Sequence, residues 1–467
     1  MSSIYTGSQS AVVANGESLP PSDTLVRGEA PARLRTSPES KLFLAFHYVL
    51  MAYLFLYISR LPELISWLRI GLIMQPILLV GLIMTKKVRV LLEVRSGLWL
   101  IGFTLWVAIC IPLSFWPGGS FWALVRTLQS LFLVAFILAF VRSVSDVMRG
   151  LSVIGLASGT IAILSFLSSA DIDNRQGLGG SASLADPNYF ALYLLVGLAL
   201  LCLTVSQRRG LLRTCALALI PINLAAIARS GSRAGLFAFG AGLIMMLVYG
   251  SVKQRTILLW ACVIGFLVAV FLLPANIKLR FTNWLSPTGF STLLTGERTQ
   301  EFDVDRGVVT ATASTESRLY LLRRSLIMTA KHPLFGVGPD QFMGAEAEDA
   351  AAHGVRGSWH FTHNSYTTVS SELGIPGLIL FTGALFGSYR GLSAIRKRGP
   401  TRHIRQMALF LQTSYFMLLL GAFFLSFGYG GLPFVLIGFS TAFQLAVRRQ
   451  VKETHKQIRQ PEMSVAV

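Results

Sequence analysis

Charge is scarce in this chain. Of its 467 residues, 13% are Asp, Glu, Lys or Arg, about half of the roughly 25% usual in soluble domains. Hydrophobic residues make up 53% and the mean hydropathy is +0.60, which excludes a disordered or fibrous protein and leaves too much apolar surface for a soluble enzyme. Cysteine is scarce as well. Cys110, Cys202, Cys215 and Cys262 all fall in apolar runs, so neither a disulfide framework nor a Cys-based metal site is indicated. The Walker pattern GxxxxGK[ST], the GxSxG elbow, HExxH and a GxGxxG followed by an acidic residue are all missing, which leaves ATP hydrolysis, Rossmann nucleotide chemistry and zincin chemistry without support.

What is present is a series of apolar runs near 20 residues, the length that spans a bilayer core. They fall at about 42–59, 64–84, 97–116, 121–141, 151–168, 187–206, 211–228, 235–250, 256–273, 364–389, 406–427 and 432–447. The expected fold class is therefore all-α: a polytopic helical membrane protein with about twelve spans. Segments such as FLVAFILAFV do not alternate, which argues against a membrane β-barrel. Residues 1–40, rich in Ser, Pro, Gly and Ala, read as a disordered cytoplasmic tail without a signal peptide. Residues 41–273 hold spans 1–9, 274–362 one large periplasmic loop with short helices, 363–447 spans 10–12, and 448–467 a basic cytoplasmic tail.

Charge fixes the orientation. With the N terminus in the cytoplasm, the cytoplasmic segments carry 26 Lys and Arg against 8 Asp and Glu, whereas the opposite face carries 13 against 14. Nearly all of the net charge of +19 then lies inside, as the positive-inside rule requires. That reading accounts for the basic balance without a nucleic-acid partner, and it puts both termini in the cytoplasm.

Three outer-face features concentrate chemistry. Arg229 and Arg233 flank a Gly/Ser turn; cations at a membrane edge are costly without a partner, and a planar guanidinium suits a phosphate. Arg318, Arg323 and Arg324 lie in a helical stretch, SRLYLLRRSL, at spacings that spread them around the axis. The third is His360-Phe-Thr-His363-Asn364-Ser-Tyr366, where the long loop re-enters the membrane. A histidine there suits a general base near neutral pH. His363 stands out because it opens a span beside Asn364 and Tyr366, whereas His353 and His360 read as structural. A metal held by these three histidines with Glu346, Glu348 or Asp349 is a rival, but His-x6-His-x2-His is not a specific zinc spacing.

The stretch THNSYTTVSSELGIPGLILF, with His363, Asn364, Glu372, Gly374, Gly377 and Leu378, resembles the signature of the O-antigen ligase/polymerase family. GSRAG (231–235) resembles the family's Ser-Arg-Gly turn, with Ala234 in place of a glycine. Residues 317–342 resemble its loop segment, and ADPNYFA (185–191) its Asp-x-Asn-x-x-Ala segment. The resemblance implies a metal-independent, inverting bacterial inner-membrane glycosyltransferase without a cofactor. Its donor is an oligosaccharide on undecaprenyl diphosphate, and its acceptor is a glycan or lipid-linked sugar, so that it acts as ligase or polymerase in surface polysaccharide biosynthesis. Membrane lipids surround it and other polysaccharide-assembly proteins are potential partners. His363 is then the catalytic base. Arg233, Arg318 and Arg229 bind the diphosphate, and Asn364, Tyr366 and Glu372 support the acceptor side. Glu372 lies too far along a straight helix to orient His363. The alternative is a twelve-span transporter or lipid-linked glycan flippase, against which the absence of a visible internal repeat counts.

Overall fold

The structure is a computed structural model that describes residues 38–64, 70–172, 175–181, 183–260, 263, 306–354 and 357–464. The expected tail at 1–37, most of the run at 256–273 and the first part of the long loop lie outside the described residues.

The chain is helical nearly throughout. α1 (Pro38–Ser59), α2 (Leu61–Leu64), α3 (Ile70–Met84), α4 (Arg95–Cys110), α5 (Pro117–Phe140) and α6 (Val144–Leu167) lead to a two-stranded hairpin, β1 (Ser169–Ile172) and β2 (Arg175–Leu178). After it come α7 (Pro187–Gln207), α8 (Leu211–Arg229) and α9 (Arg233–Tyr249). Beyond residue 305 follow α10 (Arg306–Lys331), α11 (Phe342–Ala352), α12 (Ser365–Arg398), α13 (Arg402–Gly421) and α14 (Gly431–Ser464). Among the described residues eight helices are long and apolar enough to cross a membrane, and Ile70–Met84 and Arg233–Tyr249 are shorter apolar helices. This is an all-α polytopic membrane protein.

Helix starts follow local chemistry. Ser143 and Asp146 form a reciprocal capping box on α6. Asp186 accepts from the N–H groups of Asn188 and Tyr189, and Pro187 follows at the first helical position, where its missing N–H is harmless. Ser232, Asn364 and Thr401 cap α9, α12 and α13.

α7 is the centre of the bundle and packs against α6, α8, α9 and α13. Of its most apolar window 78% is buried, against 17% for α8. A helix apolar all round is either enclosed by protein or faces lipid, and these neighbours stand near opposite ends of that range.

Three segments depart from the sequence reading. The run at 97–116 is helical only to Cys110; a 3-10 turn takes over at Ile111–Leu113, where Pro112 cannot donate to the α ladder. The run expected to reach 427 ends as helix at Gly421, and residues 422–430 form an irregular turn rich in glycine. The stretch between the runs at 151–168 and 187–206, which carries no apolar run, includes the hairpin, with Ser169 opposite Leu178 and Ile172 opposite Arg175.

The described part of the long loop is ordered as a helix, a turn and a second helix. Leu321, Met328, Val337, Phe342 and Ala345 form an apolar cluster of their own, separate from the main core. Buried Glu346 joins this unit internally. It accepts from Tyr320 Oη at 2.7 Å and from Ser358 N and Oγ at 3.0 and 3.1 Å. Arg324 and Lys331 both bond Asp349, and these hydrogen bonds, with Lys331 contributing most, pull the Asp349 carboxyl down to about 2.

The turn between α10 and α11 dips below the helix ends. Val337 and Gly338 donate to the carbonyls of Ser371 and Glu372 at 2.9 and 3.0 Å, and Ile375 donates to Pro333 at 2.8 Å. These partners lie six to ten residues into α12, about 9–15 Å at 1.5 Å per residue. Irregular backbone at such depth persists only where protein satisfies its polar groups. Two glycines permit the approach. Gly336 (φ 68°) would put a Cβ 2.2 Å from the Glu372 carbonyl carbon, and Gly374 (φ 69°), where α12 is kinked, would put one 2.1 Å from the Leu334 oxygen.

Candidate functional site

The site lies where the loop unit meets the ends of α7, α9 and α12. Its first wall is built on the α7 N-terminus. Besides capping that helix, this corner carries Asn188, whose Oδ1 accepts from Arg175 at 3.0 Å and from Ser232 Oγ at 2.8 Å. Arg175 also donates through Nε to the Ser230 carbonyl at 3.0 Å. One asparagine and one arginine therefore lock the Ser230–Ser232 turn, and Arg233 follows it as the first residue of α9. Ser232 Oγ accepts from Gly235 N at 3.0 Å, completing the cap.

Arg229 ends α8, and its guanidinium carbon lies 5.5 Å from the Phe166 ring centroid, a cation–π distance. Its recorded partner is thus a lipid-side aromatic on α6 rather than the Asn188 corner.

The second wall comes from the loop. Arg318 on α10 lies within electrostatic reach of Asp186 and His363. Burial lowers the Arg318 guanidinium from its ordinary value, and the Asp186 carboxylate opposes that. Arg324 turns instead to Asp349, and Arg323 is exposed. Arg318, Arg323 and Arg324 go to different surroundings, and of these three only Arg318 lies beside the histidine.

His363 sits immediately before α12 with a left-handed backbone, φ 53°, an arrangement that costs on the order of 1–3 kcal/mol in a non-glycine residue. Its Nδ1 is buried without a hydrogen-bond partner among the described residues. Burial and, next, the Arg318 cation push the imidazole down to about 4; Asp186 acts upward, and His360 adds a smaller downward push. A neutral, desolvated imidazole beside a guanidinium keeps a lone pair, and Nδ1 meets no hydrogen-bond partner among the described residues. That is the state of a base awaiting a proton donor.

The residues around it are committed elsewhere. Asn364 Oδ1 accepts from Tyr366 N at 3.0 Å and Thr367 N at 3.2 Å as the α12 cap. Tyr366 donates to the Leu419 carbonyl at 3.0 Å and packs on Phe423, centroids 4.6 Å apart. Glu372 is 1% exposed and faces the loop turn rather than His363. His353 Nδ1 lies 2.6 Å from the Asp349 carbonyl oxygen, and His360 is exposed. Among the described residues no three His, Cys, Asp or Glu side chains gather in a metal-binding group.

Three contributors escaped the sequence reading. Arg175 stood in a polar stretch with no helical or strand pattern around it. Its one signal was its place in the segment leading to Asp186-Pro-Asn. Ser426 was hidden because the run at 406–427 reads as continuous span, and Tyr429 because it falls in the short gap between that run and the next. In the structure Ser426 bonds Thr368 and Tyr189, and Tyr429 reaches Glu372.

Residues 215–382 match the model of a family described as O-antigen ligase. The match covers the elements that carry Arg229, Arg233, Arg318 and His363. No curated protein matches the chain.

Proposed function

We propose, from the match of residues 215–382 to the O-antigen ligase family, that the chain is a membrane glycosyltransferase of the O-antigen ligase/polymerase type that moves a glycan from a polyprenyl diphosphate onto a sugar hydroxyl. The donor is an oligosaccharide on undecaprenyl diphosphate at the periplasmic face of the bacterial inner membrane, and the product enters surface polysaccharide. The observation that carries this reading is the buried His363 imidazole beside Arg318 within the matched segment, its Nδ1 without a hydrogen-bond partner among the described residues.

The chemistry follows from the charges. The acceptor hydroxyl gives its proton to His363 as its oxygen attacks the anomeric carbon of the donor. The bond from that carbon to the diphosphate oxygen breaks, and the electron pair leaves with the diphosphate, so that the anomeric centre inverts. Arg318 and Arg233 stabilise the developing charge, with Arg229 at the periphery; a preoriented guanidinium does this without a metal ion. Donor binding also prepares the base. A diphosphate beside Arg318 offsets the cation that holds His363 down, so the imidazole rises toward the range where a base is most effective.

Deletion of the gene followed by analysis of surface glycans tests the function. Accumulated lipid-linked polymer identifies a ligase, and single repeat units identify a polymerase. An unchanged surface glycan with intact lipid-linked pools removes the proposal. A transporter or flippase would instead leave its undecaprenyl-linked substrate on the cytoplasmic face.

A further inference from the structure

We infer that Glu372 is a positioning residue for this transfer: it pins the turn after α10 to the membrane bundle and so keeps Arg318 opposite His363. The inference rests on the roles proposed above for those two residues. Both carboxylate oxygens of Glu372 are in use. Oε2 accepts from Asp340 N at 3.0 Å and from Tyr429 Oη at 2.8 Å, and Oε1 accepts from Phe342 N at 3.1 Å. One side chain thus joins the α11 end of the turn to the segment before α14, while Ile375 N holds the α10 end at the Pro333 carbonyl.

The need for a pin follows from the packing. The loop unit has its own small apolar cluster, and its turn meets the main core through Phe335, which stacks on Trp106 with ring centroids 5.4 Å apart. Much of the remaining attachment at this end is polar. Besides Glu372 it includes the main-chain bonds from 337, 338 and 375, Phe115 N to the Val337 carbonyl at 2.9 Å, the Thr329–Ser370 hydroxyl contact at 2.8 Å, Ser120 Oγ to the Pro339 carbonyl at 2.9 Å, and the Arg126–Asp340 ion pair. Arg318 lies thirteen residues before Lys331 at the pinned end of α10, a lever of about 20 Å. A tilt of about 3° at the pin moves Arg318 by about 1 Å over that length, and misplacement of that size is enough to cost about 10²-fold in rate.

Glu372→Gln tests this with little change of shape. The amide replaces one oxygen with an NH2 group, so a donor faces either Phe342 N–H or Asp340 N–H. Tyr429→Phe removes the third donor alone, and Arg323→Gln on the exposed side of α10 serves as the control. Each full-length variant is purified in detergent, and two quantities are read: transfer rate with a synthetic polyprenyl-diphosphate-linked glycan, and the titration midpoint of the His363 imidazole by 15N NMR, assigned with His363→Asn. Glu372→Gln is expected to lower kcat/KM about ten- to hundred-fold and to raise the His363 midpoint from about 4 toward the ordinary value of about 6.5, because the Arg318 cation recedes. Tyr429→Phe shifts both in the same direction by less, and Arg323→Gln shifts neither.

A lost rate with an unmoved midpoint overturns the inference, since a merely structural role lowers the amount of folded protein without retuning the histidine. Unmoved values in both variants overturn it as well. If Glu372→Gln fails to insert, Tyr429→Phe decides by the same two readings. Full activity in His363→Ala would defeat the proposed site instead, while the midpoint in Glu372→Gln would still report whether Glu372 sets the distance between Arg318 and His363.

Discussion

The two walls of the site are held by different means. The wall at the α7 and α9 ends combines local caps, Asp186 to the N–H groups two and three residues on and Ser232 to Gly235, with neutral acceptors that tie the two ends together, the Asn188 amide oxygen and the Ser230 carbonyl. The wall made by the loop is fixed by one buried carboxylate that reaches across 30 and 57 residues, Glu372 to Phe342 and to Tyr429. A cap costs one helix end about 1 kcal/mol when lost and leaves the rest in place. A long-range pin sets the placement of a whole unit. The loop wall is therefore where the protein is most precise and also where it is most easily detuned.

Removing the base should have the largest effect, and it separates chemistry from placement. His363→Ala is expected to lower transfer by about 10²–10⁴-fold, the usual contribution of general-base catalysis, with insertion and donor binding retained. His353→Ala and His360→Ala should be mild, and EDTA should leave the rate unchanged. A zinc-restorable loss in EDTA would put a metal at this turn instead.

The arginines sharpen the contrast between the walls. Arg318→Gln should lower the rate and at the same time raise the His363 midpoint, because the guanidinium that opposes imidazolium is gone. Arg233→Lys should lower the rate by losing the bidentate fork while the midpoint stays near that of the wild type, since Arg233 is not among the groups that shift His363. Equal shifts in the two variants would merge the walls into one electrostatic unit. Arg175→Gln should resemble Arg233→Lys in kind, by loosening the Ser230 turn.

Acid titration reads the same comparison through the substrate. His363 loses its free lone pair as pH falls through its folded value, so kcat/KM should hold from neutral pH down to near 4 and fall below it. With donor bound beside Arg318 the base rises, so the acid limb of kcat should lie higher than that of kcat/KM. Coincident limbs would mean that the diphosphate does not reach Arg318.

The smallest effect expected is at the far end of the loop unit. Asp349 is held down to about 2 by Lys331 and Arg324. Its contribution to stability is therefore present above about pH 3.9, the unperturbed carboxyl value, and is lost as pH falls through about 2. Asp349→Asn should flatten the acid unfolding profile in that window, with a change of no more than about 1 kcal/mol for partly exposed pairs.

The same division governs what the sequence reveals. Bundle helices announce themselves through run length, and α7 begins at Pro187, where Asp186 and Pro187 spell a cap and a first turn. The turn at 422–430 is invisible by that test, because Ala422, Phe423, Phe424 and Leu425 are as apolar as the helix before them. Only packing against Ser365, which donates to the Ala422 carbonyl at 2.7 Å, explains why the chain unwinds there. His363, Arg318 and Arg233 could be named from residue type and outer-face position. The partners of Glu372 could not, since nothing local links position 372 to positions 340, 342 and 429, and the kink at Gly374 is a tertiary requirement.

The anchoring of α10 to the bundle gathers at its C-terminal end and the turn beyond, whereas the chain enters α10 from its N-terminal end. A residue added ahead of α10 leaves the register of the anchored end unchanged. One residue added between Pro333 and Gln341 would break every bond of the turn to α12. Insertions ahead of Arg318 are therefore expected to be tolerated, whereas the stretch from Arg318 to His363 requires a fixed count.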